Sequence, residues 1–211
     1  MKIVAFVPIR LNSTRLKNKS ILPLGNKPLC WHILNTLTKV FNEVYVYAST
    51  EQVMDFSPEG TIFLKRPAVL DRDETLGMEI YSSFVGEIDS DYYCLAHVTS
   101  PFLTEKTLQS GVDALLCGHD SAFTARREQT FAWFRNKPIN YATNFIPRTQ
   151  DMEPVYIETS GYYMFDNQTI KAGRRIGGNP AIIEVGAVEG LDIDEEGDYE
   201  VAKLFARGLI S

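Results

Sequence analysis

The chain has 211 residues, enough for one sizeable α/β domain with a small appendage and too few for two full domains. Its formal net charge of −6 argues against a nucleic-acid partner, which calls for a basic excess, yet leaves room for a local basic pocket that takes a small anion. No apolar run approaches the roughly 20 residues that cross a bilayer, and Pro8 and Arg10 follow Met1 too soon for a signal peptide; the expectation is a cytoplasmic protein with no membrane partner. Ile3 to Val7 is an apolar run without alternation, the pattern of a central strand covered on both faces, and Pro8 removes a backbone donor that ends its pairing. A polar loop follows with Arg10, Arg15, Lys17 and Lys19, and with Asn12, Ser13 and Thr14 among them. Loops at the carboxyl ends of parallel strands are where open α/β sheets bind ligands, and backbone N–H groups beside fixed cations suit a nucleoside triphosphate. Spacing alone leaves a solvated basic loop equally open.

Pro28 to Val40 has helical periodicity, with Leu29, Ile33, Leu34, Leu37 and Val40 on one face and Pro28 in the first turn. Glu43 to Ala48 is a β-branched and aromatic strand, so strand, helix and strand open a parallel sheet. Thr61 to Leu64 is a further strand, running out at Lys65-Arg66-Pro67. Asp71 to Glu74 opens a helix that ends near Glu87; acids in a first turn complement the helix dipole and do not by themselves make a metal site. Asp91 to Ala96 is a buried strand feeding His97 to Leu103, after which Thr104 caps a helix ending near Cys117-Gly118. Cys30, Cys94 and Cys117 are odd in number, lack metal-type spacing and sit among apolar residues, so they read as reduced core thiols.

Ser121 to Ala125 is a strand, and Arg126 to Glu128 leads out of the main body. Phe131 to Tyr141 reads as a hairpin turning at Asn136-Lys137, followed by an irregular loop from Ile146 to Asp151 and a long strand from Val155 to Phe165. This aromatic-rich stretch with exposed apolar surface suggests a partner surface. Ala181 to Val185 is a strand, and a last strand is expected at Val188 to Ile193. Residues two apart in an extended chain share a face, so Asp192 and Asp194 project together while Ile193 packs inward. Two adjacent carboxylates repel unless a cation lies between them, and an oxygen-only pair suits Mg²⁺ carrying phosphate ligands. Ordinary helix-start acids account for Glu195, Glu196 and Asp198, in a helix from Glu195 to Ala206 that buries Val201, Ala202, Leu204 and Phe205. There is no internal repeat, low-complexity tract or linker.

Residues 7 to 19, Val-Pro-Ile-Arg-Leu-Asn-Ser-Thr-Arg-Leu-Lys-Asn-Lys, resemble the N-terminal signature of sugar-acid cytidylyltransferases, the acylneuraminate (CMP-sialate) family and its relative for 3-deoxy-octulosonate. Leu24-Gly25-Asn26-Lys27-Pro28-Leu29, His97 to Leu103, Pro147 to Gln150, Thr159 to Tyr163 and Leu191-Asp192-Ile193-Asp194 resemble further motifs of that family, in the same order. The resemblance implies a three-layer Rossmann-like nucleotidyltransferase fold with a mostly parallel sheet and a small inserted β dimerisation element at about 127–160, working as a homodimer. It implies a reaction of CTP with a sugar acid to give a CMP-sugar and pyrophosphate. By the same resemblance, Ile9, Leu11, Asn12, Ser13, Thr14 and Arg15 surround the nucleotide, Arg66 meets its cytidine end, and Arg10 and Lys19 hold the reacting phosphate. His97, Thr99, Ser100, Arg148 and Gln150 meet the sugar, Asp192 and Asp194 hold Mg²⁺, and Asp194, or a metal-bound hydroxide beside it, takes the sugar's anomeric proton.

Departures from the family pattern are Ile9 for Ala, Lys17 for Pro, His97 for Gln, and Leu76-Gly77-Met78 for small hydroxyl residues. A His at 97 gains the capacity to charge near neutrality; it is assigned a substrate contact and no acid–base role. Arg66 as a surface residue before a turn, and Arg148 as an interface residue, stay open. Residues 10 to 15 contain no Gly, unlike the gly-gly-x-gly-x-arg loops of nucleotidylyltransferases for polyol phosphates and sugar 1-phosphates. A non-catalytic nucleotide-binding homologue is the other alternative.

Overall fold

The computed structural model describes residues 1–11, 13 and 16–209. Its strands are β1 (Ile3–Pro8), β2 (Pro23–Leu24), β3 (Lys27–Pro28), β4 (Val44–Ala48), β5 (Thr61–Lys65), β6 (Tyr92–Ala96), β7 (Ser121–Glu128), β8 (Trp133–Phe134), β9 (Lys137–Pro138), β10 (Val155–Asp166) and β11 (Pro180–Glu184). The α-helices are α1 (Leu29–Thr38), α2 (Gly77–Glu87), α3 (Glu105–Leu116), α4 (Asn167–Lys171) and α5 (Glu196–Leu209). Seven strands form one sheet in the order β11-β7-β10-β6-β1-β4-β5, with β10 antiparallel to both neighbours and the other pairings parallel.

The apolar run of β1 is explained by its position inside this sheet. Ala5 and Val7 face one layer, where Ile33, Leu34 and Leu37 of α1 and Leu108 and Leu115 of α3 close the core. Val4 and Phe6 face the other, where Tyr81 and Phe84 of α2 and Ile170 of α4 pack. Phe6 stacks on Phe84 at 4.0 Å between ring centroids. The result is three layers, helix, sheet and helix, as expected. A third cluster of Leu24, Leu29, Ile193, Ala202 and Ala206 joins α5 to the β2–β3 hairpin.

Several boundaries differ from the expectations, each for a local reason. Pro8 stays in register opposite Tyr47, since it lies at the strand end and the ladder passes to the Ile9 N–H. Pro28 is the residue before α1 rather than in its first turn. Helix α2 begins at Gly77, not Asp71, because Asp71 is held by Arg66 in a short 3-10 turn, and the Glu79 carboxylate instead accepts from Leu76 N–H to cap the helix. Strand β7 continues through Arg126–Glu128, which pair with Val155 to Ile157 of β10 and so belong to the main sheet. The small hairpin turns at Arg135-Asn136, both at positive φ, one residue earlier than expected.

No strand forms at 188–193. Helix α5 buries Ala202 and Ala206, while Val201, Leu204 and Phe205 stay exposed. Cys117 is exposed at the end of α3, unlike the buried Cys30 and Cys94. Among the described residues, no helix is long and apolar enough to cross a membrane.

Candidate active site

After β1 the chain moves outward to β4 and β5, then crosses back to lay β6 on the other side of β1. Such a reversal opens a crevice at the carboxyl ends of the strands. The 9–19 loop enters it from β1, Ser49 and Thr50 from β4, Arg66 from β5, and His97 to Ser100 from β6. Topology therefore gathers four separate stretches of sequence at one edge.

The basic loop meets the acidic carboxyl-terminal segment there. Lys19 Nζ lies 2.8 Å from Asp194 Oδ1, across 175 positions of sequence, with the Lys19 side chain 12% exposed. Arg10 Nη1 donates to the Asp71 carbonyl and pairs with Asp73 Oδ1, both at 2.9 Å. Two hollows of about 340 and 260 Å³ flank Arg10 and share Arg72 and Asp73 in their walls. Ile9 is buried, Leu11 packs on the core and Ser13 is half-buried. Asn12, Thr14 and Arg15 lie outside the described residues.

Arg66 is a buried brace. Its guanidinium donates to the carbonyls of Tyr47 and Ile9, at 3.3 and 3.1 Å, and to Asp71, tying β1, β4 and the 68–71 turn together. It still lines one hollow beside Arg10.

Asp192 and Asp194 sit on an extended segment held by point contacts instead of strand pairing. Glu189 accepts from both the N–H and the hydroxyl of Thr104, each at 2.9 Å. At Gly190 a β-carbon would lie 2.9 Å from Thr159 Cγ2 and 3.0 Å from Arg126 Cγ, so no side chain fits the turn. Ile193 is fully buried and donates its N–H to the Thr99 carbonyl at 2.9 Å. The Asp198 carboxylate accepts from the N–H groups of Asp194 and Glu195, capping α5. Among the described residues, no group of three or more His, Cys, Asp or Glu side chains could hold a metal. A pair of carboxylates is nonetheless a donor set that suits Mg²⁺, which takes one or two carboxylates and completes its shell with phosphate oxygens and water.

On the other side of the crevice, His97 Nδ1 lies 2.7 Å from the Ser160 carbonyl, which marks it as the protonated nitrogen, and Nε2 lies 3.3 Å from the Tyr81 hydroxyl. Burial pushes the imidazole down to about 4; Arg175 and Lys19 act in the same direction, and the Ser160 carbonyl and Asp194 oppose it. His97 is thus neutral near pH 7 and does not use its capacity to charge there. Thr99 and Ser100 are buried. Ser100 Oγ has no hydrogen-bond partner among the described residues. Gly77 leaves the room that the Tyr81 hydroxyl occupies, since a β-carbon there would lie 2.8 Å from it.

Beyond Tyr81 opens a pocket of about 630 Å³, with Leu76, Met78 and Ile176 as apolar wall and Arg174 and Arg175 as cations. The Arg175 guanidinium lies 3.9 Å over the Tyr163 ring and pairs with Glu158 at 3.0 Å. Sequence reasoning missed Tyr81, Glu158, Tyr163 and Arg175. The available signal was a pair of adjacent arginines between Gly173 and Gly177. Arg148 is exposed and pairs with Asp151, and the Gln150 carbonyl accepts from Gln129. Among the described contacts none joins either of them to His97 or Lys19.

The sequence profile described as "Cytidylyltransferase" matches residues 4–127, more than half of the chain. This chain belongs to the cytidylyltransferase family. A Helicobacter pylori protein described as pseudaminic acid cytidylyltransferase and UDP-2,4-diacetamido-2,4,6-trideoxy-β-L-altropyranose hydrolase is 26% identical over 208 residues, covering 92% of this chain and 40% of that protein. The N-acylneuraminate cytidylyltransferase of Escherichia coli is 33% identical over 106 residues, 48% of this chain and 25% of its own length. The chain thus spans less than half the length of these relatives. In architecture it is similar to a CMP:2-keto-3-deoxy-manno-octonic acid synthetase solved with CTP, with a TM-score of 0.72, 16% identity, and coverage of 99% of this chain and 100% of that one. It is also similar to a 4-diphosphocytidyl-2C-methyl-D-erythritol synthase from Anaerococcus prevotii, with a TM-score of 0.70, 12% identity, and coverage of 98% and 96%. The fold is the Rossmann-like nucleotidyltransferase fold.

Proposed function

We propose that this protein transfers the cytidylyl group of CTP to a sugar acid, releasing pyrophosphate, and that it does so as a cytoplasmic homodimer. The observation that carries the reading is the meeting of Lys19 and Asp194 at 2.8 Å, which brings a triphosphate-binding cation and a metal-type carboxylate to one point. The names of the two sequence relatives, both cytidylyltransferases for nine-carbon sugar acids, support the acceptor class. Sialic acid and its bacterial analogues come first, with octulosonate next.

In this reading the nucleotide occupies the hollows beside Arg10, with the β1 loop around its phosphates. Arg10 and Lys19 gather the charge that grows on the α-phosphate and its leaving group. Lys19 turns from Asp194 to the phosphates as they enter, which releases the carboxylate. Asp192 and Asp194 would hold Mg²⁺, which when bound neutralises the pyrophosphate leaving group. Asp194 then stands beside the acceptor and takes the proton of its anomeric hydroxyl. His97, neutral and fixed by Ser160 and Tyr81, orients the sugar without exchanging protons. Positioning the hydroxyl in line with the phosphorus supplies much of the remaining rate.

Lys19→Ala and Asp194→Asn should each keep the circular dichroism of the parent and lose pyrophosphate release with CTP and the sugar acid by about 10²–10³-fold. Parent-like turnover in either variant removes that residue from the mechanism. Pyrophosphate release with a panel of sugar acids, and none with polyol phosphates or sugar 1-phosphates, separates this activity from other nucleotidyl transfers and from a non-catalytic homologue.

A further inference from the structure

We propose that Arg175 anchors the carboxylate of the acceptor sugar acid and so selects acids over neutral sugars, an assignment that rests on the reading above. The observation behind it is the placement of this side chain in the wall of a pocket of about 630 Å³. That pocket begins where the reaction centre ends. Tyr81 lines it beside Arg175, and its hydroxyl lies 3.3 Å from Nε2 of His97, the ring whose charging Arg175 and Lys19 both oppose.

Arg175 is built to be rigid. Its guanidinium carbon lies 3.9 Å from the centre of the Tyr163 ring, and one nitrogen, Nη2, is held 3.0 Å from Glu158 Oε2. Glu158 is itself fixed by the Tyr163 hydroxyl at 2.6 Å. A guanidinium has five donors in one plane, so contacts to Glu158 and Tyr81 leave others for a ligand. Its planar fork matches a carboxylate with two parallel hydrogen bonds, which an ammonium does not. Arg174 also stands in the wall and adds a second cation to it. Arg148 is placed differently: its side chain is 73% exposed and pairs with Asp151 in the 146–151 loop. Among the described residues, Arg175 lines the pocket that the Tyr81 hydroxyl links to His97.

The test uses the acid of the panel that the parent protein turns over, chosen among N-acetylneuraminate, pseudaminate and 3-deoxy-octulosonate, together with its methyl ester. Arg175→Ala should raise KM for the acid about ten- to a hundredfold with KM for CTP unchanged, the second value also showing that the site remains folded. The parent should prefer acid to ester strongly, and Arg175→Ala should nearly abolish that preference, since the interacting group has been removed from both sides of the cycle. Arg175→Lys should recover part of it, charge without the fork. An acid-to-ester preference that survives in Arg175→Ala, or one lost in Arg148→Ala instead, overturns the assignment. A parent protein that turns over none of the three acids removes the cytidylyl-transfer reading itself, and the assignment with it.

Discussion

At His97 the imidazole stands where the motif that residues 97–103 resemble carries a Gln, and its surroundings keep it neutral. Burial is the main cause and Arg175 and Lys19 act with it, while the Ser160 carbonyl, which accepts from Nδ1–H, and Asp194 oppose it. The folded protein therefore binds this proton less readily than the unfolded chain, whose His titrates near the ordinary value of about 6.5. Stability from His97 is fully present above that value and is lost as pH falls toward about 4. A Gln side chain can donate to Ser160 and accept from Tyr81 without titrating. In His97→Gln the melting temperature should fall less between pH 7 and pH 4.5 than in the parent; equal slopes would mean that His97 does not report on this window. Residue chemistry also separates the thiols. Burial raises Cys30 to about 12, so it is an inert core group, whereas Cys117 is exposed.

Among the elements, the acidic segment departs most from the pattern its residues suggest. Alternation at 191–194 puts Ile193 inside, as a strand would, yet no neighbouring strand pairs with it. Its geometry is maintained by Glu189 on Thr104, by Gly190 against Thr159 and Arg126, by Ile193 under Thr99, and by Asp198 on the following N–H groups. A segment held by point contacts should move when one is removed. With CTP present, Glu189→Ala should weaken manganese binding about tenfold by titration calorimetry, and Glu189→Gln, which keeps an acceptor oxygen, should not. Equal affinity in all three proteins would show that the segment needs no such anchor. Strand β10 carries its own irregularity. Its register with β7 shifts between Glu158 and Tyr163, where Ser160 takes a φ of 56°, and this bulge turns the Ser160 carbonyl onto His97.

For the whole molecule, convergence of distant segments is paired with an outward-facing apolar surface. Trp133, Phe134, Phe145 and Ile146 are each more than half exposed, in the stretch between β7 and β10. A cluster of this kind is costly in water and is the surface expected to pair two copies. Light scattering should give twice the chain mass of 23.8 kDa, and Trp133→Asp combined with Phe145→Asp should return it to one. A parent protein of single mass would remove the homodimer from the proposal.

The sequence by itself was enough for the parallel core, because buried strands and amphipathic helices carry their burial in local periodicity, as Val4 to Val7 and Leu29 to Leu37 do. It nominated Arg10, Lys19, Asp192 and Asp194 through motifs that resemble those of a known family, beside loop chemistry and same-face alternation, all of them local signals. It did not reveal that Arg66 is a buried brace, that Asp71 and Asp73 serve arginines instead of opening a helix, or that Arg175 stands near His97. Those facts depend on which segments the strand order brings together. A side chain's partner across 60 or 170 positions is decided by packing of the whole sheet, and no window of neighbouring residues contains it.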